Sequence, residues 1–243
     1  TIQHFPYQRL RDFYRDNYYH GGILFHKFVL GWANRIFRRT ADHRPQAKWF
    51  SWAKEKWGES AFKEALEKAL EDNEIKTVPD LVEALKNPER GANPLIVDLV
   101  LNQFDGEYYK ERDVRHEAIK IPTYLGGCWG IYGLHLPGAF RAWENMDAPK
   151  KMVIGPPIYL DRPVYQYQYE SLRWFDYWLK GIENGIMEEP PVRLFITGTD
   201  EWKTANEWPL PETRWTPFYL HANGLLSEHE FWPNDGCSSY EDN

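Results

Sequence analysis

The chain has 243 residues, a formal net charge of −7 and an isoelectric point near 5.7, which sets aside nucleic acid and anionic membrane surfaces as default partners. No apolar run approaches the roughly 20 residues needed to cross a bilayer. The two cysteines, Cys128 and Cys237, make no disulfide framework, so a cytoplasmic, reducing compartment is favoured.

Twelve Trp, 15 Tyr and 13 Phe form an aromatic excess that serves packing first and can also line a pocket for apolar or planar ligands. The opening residues carry neither an initiator Met nor a basic-then-apolar leader, and the chain reads as the middle of a longer protein.

Residues 1–115 read as helical. Phe62, Leu66, Ala69 and Leu70 recur as one stripe, with Glu59/Lys63 and Glu64/Lys68 as i,i+4 pairs on the outer face. Thr77 is expected to cap the next helix, with Pro79 in its first turn and Asp80 at N3, and Pro88 lies beyond its end. Short helices without intervening strands suit a cap.

Near Ile119 the pattern changes. IKIPTYLGG is a strand emptying into glycines, GAFRAWENM a compact helix, and KKMVIGPP a second strand. A long helix over residues 165–182 follows, with Leu172, Phe175, Leu179 and Ile182 as its apolar face. Such alternation predicts parallel strands with the functional loops at their carboxyl ends, here residues 126–135 and 155–162.

Gly181, Gly185 and the pair Pro190-Pro191 stop that helix. Residues 192–197 then alternate as a half-buried strand, the first of a β segment continuing over 215–221 and 228–232 with turns at WPLPE and Asn223-Gly224. The expected class is therefore α/β: a helical region over 1–115, the latter part of a strand-and-helix core over 116–188, and an all-β segment over 189–243.

Acyl transfer by a serine on such a core needs G-x-S-x-G, then an acid, then a His. The chain contains no G-x-S-x-G, no G-x-G-x-x-G opening a helix, no phosphate loop, no H-E-x-x-H and no C-x-x-C. Its eight histidines are scattered, and neither a metal nor a cofactor is expected.

Five segments in order, YRDxxYHGGI, IPTYLGGxWGIYGLHLPGAFRAW, VIGPPxYLDRP, WFDYWLKGIENG and PPVRLFITG, resemble the CocE/NonD hydrolases, relatives of X-Pro dipeptidyl-peptidases. The resemblance spans essentially the whole chain. It implies an α/β-hydrolase core with an inserted helical cap and a C-terminal jelly-roll, and a serine enzyme acting on a small-molecule ester or amide. It also implies that the nucleophile elbow lies upstream of Thr1, so that this chain alone is inactive.

In that family the acid follows a Trp by two residues and the His follows Ile-Gly-Pro; here those slots hold Ile131 and Tyr159. Ile131 cannot orient an imidazolium, and Tyr159 is a poor base at neutral pH. His135 and Asp161 are the remaining polar candidates for a catalytic pair if the two loops converge. The plainer readings are a helix-start residue for His135 and a loop ion pair with Arg162 for Asp161.

Trp129, Tyr132 and Tyr159 are expected to wall a pocket, faced from the cap by His20, which also suits a turn histidine. Cys128 reads as a small buried residue. Unpaired strand edges call for a second copy of the chain or for the missing N-terminal segment. A non-catalytic homologue using its aromatic pocket for binding or assembly is the alternative. An unrelated carbohydrate-binding module would leave the helical first half unexplained.

Overall fold

The computed structural model describes residues 12–33, 51–88, 94–131, 133–134, 136–156, 167–230 and 236. It divides into two units, Thr1–Asn206 and Glu207–Asn243. In the first, a π-helical turn at Tyr14–Tyr18 leads into a hairpin, β1 (Tyr19–His20) and β2 (Ile23–Leu24). Gly21 and Gly22 carry φ of 61° and 89°, the positive pair that a two-residue turn requires.

After a second π-helical segment, Lys27–Ala33, the described α-helices are α1 (Trp52–Trp57), α2 (Glu59–Glu71), α3 (Asn73–Lys76), α4 (Pro79–Lys86), α5 (Pro94–Leu101) and α6 (Glu107–Lys110). The anticipated stripe is present: Phe62 and Leu66 are buried, Ala69 and Leu70 pack on the same core, and Glu59 pairs with Lys63 at 3.6 Å. Thr77 does not cap α4. Val78 holds that position without a side-chain bond, while the Thr77 hydroxyl donates to Glu74 O at 2.7 Å and closes the preceding turn. Pro79, with its φ already helical, starts α4 unaided.

The core here is aromatic, with Tyr109 edge-on to Tyr14 and Tyr108 at centroid distances of 4.9 and 4.8 Å. These phenols also solve a backbone problem. A helix ends in carbonyls without helical partners, and around the end of α5 three hydroxyls supply donors. Tyr19 donates to Leu99 O at 2.7 Å, Tyr109 to Asn102 O at 2.8 Å and Tyr14 to Gln103 O at 3.0 Å. Burial pushes the Tyr19 and Tyr109 hydroxyls up, which keeps them protonated and donating. Asp98, also on α5, caps a different helix. Its carboxylate accepts from Ser51 Oγ at 2.5 Å and from the backbone N–H of Trp52 and Ala53 at 3.0 Å each, at the start of α1.

A short 3₁₀ turn, His116–Ala118, precedes the sheet, and His116 is buried with no hydrogen-bond partner for Nε2 among the described residues. Burial lowers its pKa first and Arg141 second, against the opposing pull of Glu117 and Asp16. The folded value lies below the ordinary 6.5, so the folded state binds this proton less readily than the unfolded chain. Stability is therefore whole above the ordinary value and lost as pH falls from it toward the folded one. Urea midpoints are expected to decline less between about pH 7 and about pH 5 in His116→Gln than in the unaltered protein.

The sheet has the order β3 (Thr123–Cys128), β4 (Lys150–Gly155), β5 (Val192–Ile196), β6 (Glu201–Ala205). The first three are parallel and β6 runs antiparallel at the edge. The strand read from sequence as the first of a separate β segment thus continues the same sheet as β3 and β4. Met152 and Val192 are paired in register, so no boundary at 188/189 separates β4 from β5. The alternation of β5 reflects one face packed and one face half-open.

Successive strand residues point to opposite faces, and the two flanking helices divide accordingly. Tyr124 and Val153 pack with Trp174 of α8 (Gln168–Lys180), whereas a Cβ on Gly127 would meet Leu136 and Ala139 of α7 (Leu136–Asn145) at 3.0 and 3.9 Å. The adjacent lysines of β4 follow the same rule. Lys150 donates to Trp143 O and Met146 O at 2.5 and 2.6 Å at the end of α7, and Lys151 donates to Ile186 O at 2.6 Å beyond α8.

Of the face anticipated for α8 only Phe175 packs on the core, and the most buried residues are others. Tyr167, Glu170 and Trp174 are inside, while Leu172 and Leu179, with Ile182 just beyond the helix, remain 55%, 59% and 47% exposed. Aromatic area outweighs aliphatic where both compete for one core. The stop is as read: Gly181 is left-handed at φ 69°, with Ile182 N–H donating to Asp176 O at 3.1 Å.

In the unit Glu207–Asn243 the described ladder is β7 (Tyr219–Leu220) with β8 (Leu226–Ser227). This is shorter than the strand anticipated over 215–221, and residues 228–230 form no strand.

Candidate active site

The sheet brings its carboxyl ends to one level: Cys128 at the end of β3 pairs with Gly155 at the end of β4, so the chain leaves both strands side by side. In such sheets, loops at this edge carry ligands and chemistry. Cys128 itself is buried within the strand. Gly127 is glycine because α7 lies directly on it: a Cβ would also come 3.2 Å from Ile154 Cδ1.

Trp129 opens the loop after β3 in a 3₁₀ turn, Trp129–Ile131. Its indole Nε1 donates to Phe195 O at 2.6 Å, and its ring lies 6.3 Å from that of Phe140. Since β4 stands between β3 and β5, this bond straps the first strand to the third across the exit of the second. Trp129→Phe removes the donor and leaves a carbonyl without it. A loss of about 1 kcal/mol is expected in urea unfolding, with faster proteolysis of the loop.

His20 sits in the hairpin turn region, half-buried, with Nε2 3.1 Å from Asp16 O and its ring 4.8 Å from Phe25. A Cβ on Gly133 would fall 4.0 Å from His20 Cε1, so this histidine stands beside the loop after β3. The contact to Asp16 O is the backbone-satisfying role anticipated for a turn histidine. Tyr132, His135, Tyr159, Asp161 and Arg162 lie outside the described residues, and only the backbone of Ile131 is described.

Sequence reading missed the group that joins the two regions. Asp16, 2% exposed, forms an ion pair and hydrogen bond with Arg141 of α7 and also accepts from Asp12 N–H at 2.9 Å. No local signal marks a pair 125 positions apart.

One serine–histidine contact invites comparison with a nucleophile and its base. His221 Nε2 is 2.9 Å from Ser227 Oγ, but it is also 3.0 Å from His229 O. A carbonyl only accepts, so Nε2 holds a proton and cannot take one from Ser227. The contact is structural. Among the described residues no group of three or more His, Cys, Asp or Glu side chains could hold a metal ion, and no helix is long and apolar enough to cross a membrane.

No family model matches the chain. A cocaine esterase of Rhodococcus sp. is 26% identical over 250 residues, covering 91% of this chain and 40% of the esterase. A CocE/NonD family hydrolase from Staphylococcus aureus shares the fold at a TM-score of 0.58 and 23% identity, over 90% of this chain and 33% of that one. An aminopeptidase from a marine sediment archaeon, Thaumarchaeota archaeon, does so at 0.58 and 15%, over 91% of this chain and 37% of that one. In sequence and in fold the chain is CocE/NonD-hydrolase-like, and it spans less than half the length of each of these proteins.

Proposed function

From this likeness we propose that the chain belongs to a serine hydrolase cleaving ester or amide acyl bonds of small molecules, to which it contributes the loops that follow β3 and β4. The observation that carries the reading is the in-register parallel ending of those strands at Cys128 and Gly155, with Trp129 strapped across them. The serine comes from outside the 243 residues, which hold no nucleophile elbow. It attacks the carbonyl, preorganised donors stabilise the oxyanion, the alcohol or amine leaves carrying the serine's proton, and water then hydrolyses the acyl-enzyme to the free acid and the serine.

In this reading residues 1–115 are the cap, the closing part of the core begins at 116 and runs past the anticipated end at 188 through β5 and β6, and the chain after Asn206 leads toward a jelly-roll. Trp129, Tyr132, Tyr159 and His20 line the substrate pocket, and His135 with Asp161 supplies the polar pair missing at Ile131 and Tyr159. The compartment that fits the two cysteines is the cytoplasm.

A fluorophosphonate probe applied to the protein made from its complete natural gene tests this. Labelling of a single serine outside these residues is expected. No labelling would favour a binding homologue, the reading that Ile131 and Tyr159 at the acid and histidine slots recommend.

A further inference from the structure

We propose that His20 sets substrate specificity by accepting a hydrogen bond through Nδ1 from an N–H or O–H of the substrate, and that Arg141 is the residue that positions it. The inference rests on the hydrolase reading and deepens it by naming a substrate class. It begins with a proton. Because the Asp16 carbonyl can only accept, the 3.1 Å approach of His20 Nε2 fixes the proton on that nitrogen. With the proton on Nε2, the lone pair of the neutral imidazole is on Nδ1, which has no protein partner among the described residues. The ring packs on Phe25, and its Cε1 lies toward Gly133 in the loop after β3. An acceptor without a partner therefore stands beside that loop.

What holds the ring there is Asp16, which faces two ways. Its carbonyl takes the His20 proton, while its carboxylate is clamped by Arg141 from α7, the helix that the loop leads into. Among the described residues, the buried Asn17 Oδ1 and Arg141 Nε have no hydrogen-bond partners. Loss of the Arg141 bond is expected to loosen the turn that carries the Asp16 carbonyl, and with it the orientation of the imidazole.

The protein made from its complete natural gene is assayed on alanine 4-nitroanilide, which offers an ammonium and an amide N–H, and on 4-nitrophenyl butyrate, which offers no donor. His20→Phe keeps an aromatic ring against Phe25 and removes Nδ1. The ratio of the anilide KM to the ester KM is expected to rise about tenfold, the worth of one such bond. Arg141→Gln should raise the same ratio by less. The double variant Asp16→Asn/Arg141→Gln leaves no unpaired buried charge and provides the reading if the single variant does not fold.

A long-range ¹H–¹⁵N spectrum should place the His20 proton on Nε2, and on both nitrogens in exchange once Arg141 is replaced. KM values that move together on both substrates, or a proton on Nδ1 in the unaltered protein, overturn the assignment and leave the hydrolase reading standing. A protein that takes the fluorophosphonate label yet leaves the anilide uncleaved overturns it likewise. A protein that neither cleaves these substrates nor takes the label overturns both.

Discussion

Replacing Asp98 with alanine is expected to cost about 3–5 kcal/mol of stability, because three donors at the start of α1 lose their acceptor together. Ser51 Oγ, Trp52 N–H and Ala53 N–H are all satisfied by that one carboxylate, and Ser51 and Asp98 are themselves buried. Equilibrium urea unfolding measures the loss; a change under about 1 kcal/mol would mean that water reaches the vacated donors.

Asp98 has a pH signature as well. Burial raises its pKa above the ordinary 3.8, and the bonds from Ser51, Ala53 and Trp52 only partly oppose this. The folded state therefore holds the proton more tightly than the unfolded chain, and this group's contribution falls as pH rises from the ordinary value through the folded one. Asp98→Asn should erase that slope.

Arg141→Ala is the second large effect, expected at about 2–4 kcal/mol. Removing one partner strands the other charge in a poorly hydrated place, and Asp16 is only 2% exposed. The value sits toward the low side because the Arg141 side chain is 32% exposed and Asp12 N–H still reaches the carboxylate. The neutral pair Asp16→Asn/Arg141→Gln should recover most of the loss, since neither residue then leaves a charge behind. If the double variant were no more stable than Arg141→Ala, packing by the arginine stem would be the cause.

The parts of this fold that were legible in the sequence are those encoded within a few residues. The alternation of strand and helix from Ile119 to α8, the stop at Gly181 and the stripe of Phe62 and Leu66 all follow from local period and backbone chemistry. What was not legible depended on which of two partners would win. Leu172 and Leu179 have the spacing of a buried face, yet Trp174 took the place against Tyr124 and Val153. Thr77 has the chemistry of a cap, but the turn before it claimed the hydroxyl.

The same holds at the candidate site. Trp129 could be placed on a loop after a strand, but its bond to the Phe195 carbonyl joins positions 66 apart. His20 could be named from YHGG, but the Asp16–Arg141 clamp behind it has no sequence pattern. Local rules locate the edge of the sheet; the contacts that tension it are settled only in three dimensions.

Lys150 also changes the charge balance of α7. A helix behaves as if about half a positive charge stood at its start and about half a negative charge at its end. The ammonium of Lys150 neutralises the terminal carbonyls of α7, while no acidic residue stands in the first turn of that helix. The negative pole is quenched, while the first turn holds no acidic side chain to offset the positive pole, which faces the loop that Trp129 begins. The charge separation of α7 is thus cancelled at one end only: the lysine settles the carbonyl end, and the amide end keeps its partial positive charge beside the loop.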